Sequence, residues 1–377
     1  MALTDSKVIE SALRNLPSRP LLSPEENANF FTDFHDQMIR LRRAIVIGEN
    51  SVILGDRGSG KSSLLTHLYY ELKEGNEFIP IRINILGIDT LNLTSLLKSI
   101  LYELFRATER LFDDDESRSK LVRIFESGSE LEGKFPFALD IEPANESAYA
   151  LLDKLTKAVS FLKENGHLTV CIMLDDVDKT DGRLVWAALR GARDALWKLR
   201  MPILVTASPR ALTKLTEPPL DQFFPYVVTL PPFDEASARE MIEKRLAKSE
   251  IQIRLSHRTI IEIVRHSGGN PRLMLTQLRY ALESGSIGKV ITPKDFRDIW
   301  KPSDVQLTTT QRAVLAYVAS HPGTSASSTE FRKSIGLGRA RLAQVLNSLR
   351  RRGLVTANYQ DRKMLYSAYE RVQKNTS

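Results

Sequence analysis

The stretch Gly55-Asp56-Arg57-Gly58-Ser59-Gly60-Lys61-Ser62, set between an apolar strand and a helix, constrains this chain more than any other feature. It satisfies the G-x-x-x-x-G-K-[ST] phosphate-loop pattern in full. Its surroundings are those the pattern requires: Ser51-Val52-Ile53-Leu54 runs straight into Gly55, and Lys61 to Leu72 has helical periodicity. Glycines allow backbone N–H groups to turn onto a phosphate where a Cβ would clash, and the following helix adds its positive end. Lys61 brings a movable positive charge to the β and γ phosphates, and the Ser62 hydroxyl is the expected Mg²⁺ ligand. The expected binding set is Gly55, Asp56, Arg57, Gly58, Ser59, Gly60, Lys61, Ser62 and Ser63, with ATP and Mg²⁺ as the cofactors. The competing reading is a plain glycine turn with a surface lysine.

A Mg-nucleotide site also needs a carboxylate at the end of a neighbouring buried strand. Val170 to Leu174 followed by Asp175-Asp176 supplies it. Asp175 is expected to hold the metal through water, with Asp176 orienting or deprotonating the attacking water. Taken alone, the pair would equally suit a helix cap. Asp178 and Lys179 follow as further candidate contacts. Ile203-Leu204-Val205 delivers Thr206 and Ser208 to an adjacent strand end, where a hydroxyl can sense the γ-phosphate or merely shape a turn. Arg210 is a candidate arginine acting on a neighbouring subunit's site. In Gly268-Gly269-Asn270-Pro271-Arg272 the glycines end one helix and Pro271 suits the start of the next. Arg272 then falls on a helix's first turn, either reaching the nucleotide or simply solvated.

With 377 residues, two or three domains are expected. Residues 1 to about 30 read as an arm with one short helix, and 1–50 as arm plus entry helix. Residues 51–233 alternate strands with helices, which predicts an α/β parallel sheet covered on both faces. Asp113 to Glu146, with an acidic cluster followed by glycines and prolines, is expected to be an insertion loop. From 234 to 300 the pattern is purely helical, including a short helix capped by Thr292, and Lys301-Pro302-Ser303 reads as a linker. The single cysteine, Cys171, excludes an internal disulfide and fits a reducing compartment. No signal-peptide or membrane-span pattern is visible, so a cytoplasmic protein without membrane contact is expected.

The basic charge is localised. Val305 to Ser377 holds twelve basic residues against three acidic, a net of +9, while the rest of the chain is slightly negative. Thr310 to Ser320, Ser327 to Ser334 and Arg339 to Arg351 read as three helices, the last with Leu342, Val345, Leu346 and Leu349 on one face. A hairpin follows, from Leu354 to Asn358 and Met364 to Ser367. Residues 305–377 therefore predict a winged helix-turn-helix. Its third helix would offer Arg339, Arg341, Gln344 and Ser348 to the major groove of duplex DNA, with Arg362 and Lys363 of the wing meeting phosphate or the minor groove. The alternative use of such a module is docking to protein.

Taken together, Gly55 to Ser62, Asp175-Asp176-Val177-Asp178, Thr206-Ala207-Ser208 and Gly269-Asn270-Pro271-Arg272 resemble the AAA+ ATPases. The nearest branch is similar to the origin-recognition-complex type, with signalling ATPases of the STAND class close by. The resemblance covers about residues 30 to 300 and extends to a winged helix after a helical lid. It implies Mg-ATP on Lys61, Ser62, Asp175 and Asp176, a sensor 1 role for Ser208 or Thr206, and a sensor 2 role for Arg272. It also implies assembly with further copies or a partner ATPase. Three departures stand out: Asp176 where many such ATPases have Glu, no evident arginine finger, and the Asp113 to Glu146 insertion. They leave the hydrolysis rate open. The implied function is an ATP-dependent switch engaging DNA in replication initiation, mobile-element or defence settings. The rival is a STAND-like switch whose tail docks protein.

Overall fold

A computed structural model describes residues 10, 12–88, 91–109, 111–112, 115–126, 147–177, 182–209, 222–248, 255–283, 308–351, 354–360 and 363–368. The chain divides into two compact units, Arg19–Pro231, and Met1–Ser18 with Pro232–Ser377.

In the Arg19–Pro231 unit, α1 (Pro24–Phe30) and α2 (His35–Val46) precede β1 (Ser51–Leu54), and α3 (Lys61–Glu74) leads to β2 (Phe78–Asn84). Helices α4 (Leu93–Thr108), α5 (Asp115–Glu126) and α6 (Ala148–Gly166) come before β3 (Thr169–Asp175). Helix α7 (Gly182–Lys198), β4 (Ile203–Ala207) and β5 (Tyr226–Thr229) complete the unit. All five strands are parallel, in the order β2-β3-β4-β1-β5. β4 is thus inserted between β1 and β3, so the loops leaving β1 and β3 flank its C-terminal end, where open α/β sheets bind ligands.

The apolar runs read from the sequence follow from burial on both faces of this sheet. Val52, Leu54, Ile79, Ile81, Ile83, Val170, Ile172, Leu174 and Val205 share one core with Leu96, Ile100 and Leu104 of α4 and Leu155 and Leu162 of α6. Residues of the opposite parity, Ile53, Cys171, Met173 and Leu204, are buried as well. Asn50 ties the sheet together at its other end. Its side chain donates to the Phe223 carbonyl and accepts from the Ile203 N–H, both at 2.9 Å.

One expectation for this unit needs correcting. The segment from Asp113 is not simply a loop: α5 is a regular helix whose Leu121 and Phe125, four residues apart, are buried in the main core. Residues 113–114 and 127–146 lie outside the described residues. The N-terminal segment carries α1. Ser23 caps α1 by accepting from Glu26 N–H at 3.1 Å, and Pro24 takes the first helical position. The segment is then fastened along α3: Leu21 N–H donates to Ser63 Oγ (3.2 Å), Tyr70 Oη to Leu22 O (2.8 Å), and Phe31 stacks on His67 at 4.0 Å.

In the other unit, α8 (Glu235–Leu246), α9 (His257–Ser267) and α10 (Pro271–Glu283) form a helical segment. α9 ends at Gly268 (φ +59°) and Gly269 (φ +71°). A Cβ on Gly269 would stand 2.6 Å from both Phe233 O and Pro232 Cβ, so only glycine fits this corner. The winged helix-turn-helix comprises α11 (Thr309–Ser320), α12 (Thr329–Ile335), α13 (Arg339–Arg351) and the antiparallel hairpin β6 (Val355–Gln360) with β7 (Lys363–Ala368). Thr324 bridges Tyr366, widening the wing sheet. This module has its own core of Val314, Val318, Phe331, Leu342, Leu346, Leu349 and Tyr366. Thr292, the Lys301-Pro302-Ser303 linker and the wing residues Asp361 and Arg362 lie outside the described residues.

Candidate functional site

The phosphate loop leaves β1 at Gly55, whose N–H donates to Ala207 O of β4 at 3.2 Å. A Cβ at Gly55 would lie 2.4 Å from Ser59 Oγ, and Gly58 and Gly60 take φ of +89° and +103°. The left-handed backbone at Gly58 and Gly60 therefore calls for glycine, and a Cβ at Gly55 would displace the Ser59 side chain. Phe34, itself left-handed at φ +69°, brings its ring to 3.0 Å from the place a Cβ on Gly60 would occupy. Lys61 Nζ donates back to the carbonyls of Gly55 (2.7 Å) and Asp56 (3.1 Å). The Ser59 hydroxyl is buried without a hydrogen-bond partner among the described residues.

Across β4, β3 ends in Asp175, whose side chain is only 3% exposed. Its Oδ1 accepts from Ser62 Oγ (3.0 Å), Thr206 Oγ1 (2.7 Å) and the Asp176 N–H (3.0 Å). The phosphate-loop serine, the acidic strand end and the next strand's hydroxyl thus converge on one carboxylate oxygen. Oδ2 accepts from Arg82 of β2 at 2.6 Å. Asp176 follows with φ +62°, and its N–H is shared with Thr206 Oγ1 at 3.0 Å.

These residues fit a Mg-nucleotide. Ser62 and Asp175 are hard oxygen donors in contact, the ligand type Mg²⁺ takes. The orphaned Ser59 hydroxyl and the glycine cradle suit a polar, bulky oxyanion where side chains are excluded.

Of the residues expected from sequence, Gly55 to Ser62, Asp175 and Asp176 come together here. Ser63 is in the loop's helix, but its hydroxyl accepts from Leu21 and its carbonyl from Asn27 Nδ2 at 3.5 Å. Thr206, rather than Ser208, makes the contact to Asp175: Thr206 lies within β4, beside the end of β3, whereas Ser208 follows the end of the strand. Arg272 stands in the first turn of α10, after Asn270, whose side chain accepts from Leu273 N–H at 3.3 Å. Asp178, Lys179 and Arg210 lie outside the described residues.

On the winged helix, Arg339, Arg341 and Gln344 are exposed on α13, and Arg341 donates to Gln344 Oε1 at 3.1 Å. Ser348 belongs elsewhere. Its Oγ accepts from Gln311 Nε2 of α11 at 3.1 Å, turning it into the helix–helix seam. Lys363 begins β7, opposite Gln360 at the hairpin's end.

Sequence reasoning missed Arg82 and Thr66. Arg82 donates to Thr66 Oγ1 at 2.7 Å, and Thr66 donates to Ser62 O at 2.7 Å. The signal was present: Arg82 sits in Phe78–Asn84, a strand whose helical cover on both faces obliges a charge to find a partner.

The sheet order, the phosphate loop leaving β1 and the acidic end of β3 define the AAA+ ATPase fold, here followed by three helices and a winged helix. Comparison with known proteins agrees. A Walker-type ATPase of Pyrococcus abyssi superposes with a TM-score of 0.57 at 18% identity, covering 96% of this chain and 99% of its own. Cdc6p of Pyrobaculum aerophilum gives a TM-score of 0.50 at 16% identity, covering 94% and 95%. A model of the MarR family matches residues 305–364. The chain is 22% identical over 235 residues to an uncharacterised HTH-type transcriptional regulator of Methanocaldococcus jannaschii. That match takes in 60% of this chain and 56% of the regulator's length.

Proposed function

We propose that this chain is an ATP-dependent switch that binds Mg-ATP at residues 55–62 and engages duplex DNA through α13 and the wing. The convergence of Ser62, Thr206 and Asp176 N–H on Asp175 carries the nucleotide part of this reading. Ser62 and Asp175 would hold Mg²⁺, which when bound supplies neutralisation of phosphate charge. Lys61 exchanges its loop carbonyls for the β and γ phosphates. Thr206 links Asp175 to the Asp176 backbone, so the acidic turn registers what happens at Ser62. Asp176 orients the attacking water, and its short side chain makes turnover slow. Arg272, in the first turn of α10, is the proposed anion-binding residue of the helical segment. A cation in a helix's first turn opposes the helix dipole, and an anionic ligand relieves that opposition.

The DNA part rests on the exposed Arg339, Arg341 and Gln344 on the third helix of a winged fold in the basic tail. Nucleotide state then governs how the DNA-bound chain assembles with a second copy or a partner ATPase.

ATP binding and phosphate release, measured on wild type, Lys61→Ala and Asp176→Asn, test the core of this reading. Lys61→Ala is expected to weaken ATP binding at least about tenfold through loss of the phosphate cation. Asp176→Asn should bind normally yet release phosphate about 10²-fold more slowly. ATP binding that survives Lys61→Ala unchanged would overturn the site.

A further inference from the structure

Arg82 is the one basic residue in the five strands of the sheet, and it touches the acid of the nucleotide site directly. In the β2–β3 register it faces Met173, two residues before Asp175. One guanidinium nitrogen donates to Asp175 Oδ2 at 2.6 Å and the other to Thr66 Oγ1 at 2.7 Å. Thr66 passes the connection to Ser62 O. Arg82 therefore spans both residues expected to hold the metal, Asp175 by ion pair and Ser62 through Thr66. Its side chain is 22% exposed and that of Asp175 3%, so bulk water screens the pair weakly.

The arrangement gives Asp175 a cation of its own before any metal arrives. The other donors to this buried carboxylate, Ser62, Thr206 and the Asp176 N–H, are neutral. With Arg82 in place, part of the negative charge that would attract Mg²⁺ is already engaged, and a second cation must approach a fixed guanidinium. Affinity for hard divalent ions follows the negative charge their ligands present.

We propose that Arg82 is a positioning residue that acts as a built-in counter-ion for Asp175, steadying the metal-free site and lowering its affinity for Mg²⁺. The inference rests on the Mg-ATP reading of this same site. It makes the metal, rather than the nucleotide alone, the exchangeable element of the switch.

The test compares the full-length wild type with Arg82→Gln and Arg82→Lys. Thermal melting in EDTA without nucleotide should show Arg82→Gln losing stability, with Arg82→Lys recovering much of it. Binding of a fluorescent ADP analogue, followed across a Mg²⁺ titration, should give Arg82→Gln a midpoint about tenfold lower in Mg²⁺ than wild type. Arg82→Lys should stay within about threefold, since it keeps the charge. A merely structural arginine would change melting and leave the midpoint where it was. A midpoint unchanged or raised in Arg82→Gln overturns the proposal while leaving the nucleotide reading intact. Absence of Mg²⁺-dependent ADP binding in wild type sinks both. Should Arg82→Gln fail to fold, Arg82→Met, which fills the same space without charge, takes its place in the comparison.

Discussion

Asp176 adopts φ +62°, a conformation in which a Cβ crowds the following carbonyl, and it does so at the turn leaving β3. Asp and Asn tolerate this region better than most residues, because their side chains can bond locally. The loss of turnover expected for Asp176→Asn is therefore a charge effect. Asp176→Ala should add backbone strain of about 1 kcal/mol, visible in denaturant unfolding. Cys171 makes a different case. Full burial raises its thiol pKa well above the ordinary value of 9.0. A thiol reagent should leave it untouched in the native protein and label it only after unfolding. Because the folded-state value is raised, its contribution to stability is complete below pH 9.0 and falls as pH climbs above it. A flat stability profile across that range would contradict the assignment. At this scale the glycine loop and Asp175 were legible because their meaning is local, a motif read against its flanking strand. For Arg82 the need of a partner was legible but the partner was not, since it lies 93 residues away and only the β2–β3 pairing brings them together. The choice between Thr206 and Ser208 likewise needed the strand's actual end, at Ala207.

Among elements, the corner between α9 and α10 is the most demanding. Gly269 is left-handed, and its carbonyl accepts from Phe233 N–H at 2.8 Å. Gly269→Ala combines strain with a clash on Phe233 and Pro232, for a cost on the order of 2 kcal/mol. Hydrogen exchange on α9 and α10 should locate the loss, and unaltered protection there would refute it. Helix types were readable from periodicity in this region and in the winged helix, where buried Leu342, Leu346 and Leu349 mark the inner face of α13. α5 was hidden by its acidic start, although Leu121 and Phe125 already carried its spacing. Ser348 shows the limit of helical spacing as a guide: a residue at the edge of the exposed face turned inward to Gln311. Ser348→Ala should accordingly lower the module's melting temperature slightly and leave DNA affinity unchanged.

For the whole molecule, the basic tail and the proposed nucleotide site predict separable behaviours. Arg339→Ala with Arg341→Ala should weaken duplex binding by about 1–3 kcal/mol for each base pair these arginines read, with ATP binding unaffected. Where either arginine meets a phosphate instead, its removal should make the log–log salt dependence shallower by about 0.9. Duplex affinity unchanged in the double variant, measured across a salt series, would remove α13 from the interface. Among the described residues no helix is long and apolar enough to cross a membrane. The winged helix keeps its own core, from Val314 to Tyr366, apart from the core around the sheet. A tether to DNA acts on a neighbour by raising its local concentration, with no contact needed between the two functions. Two copies held on one duplex would then meet far more often than free copies do. The spacing of their sites along the DNA would become a ruler for assembly.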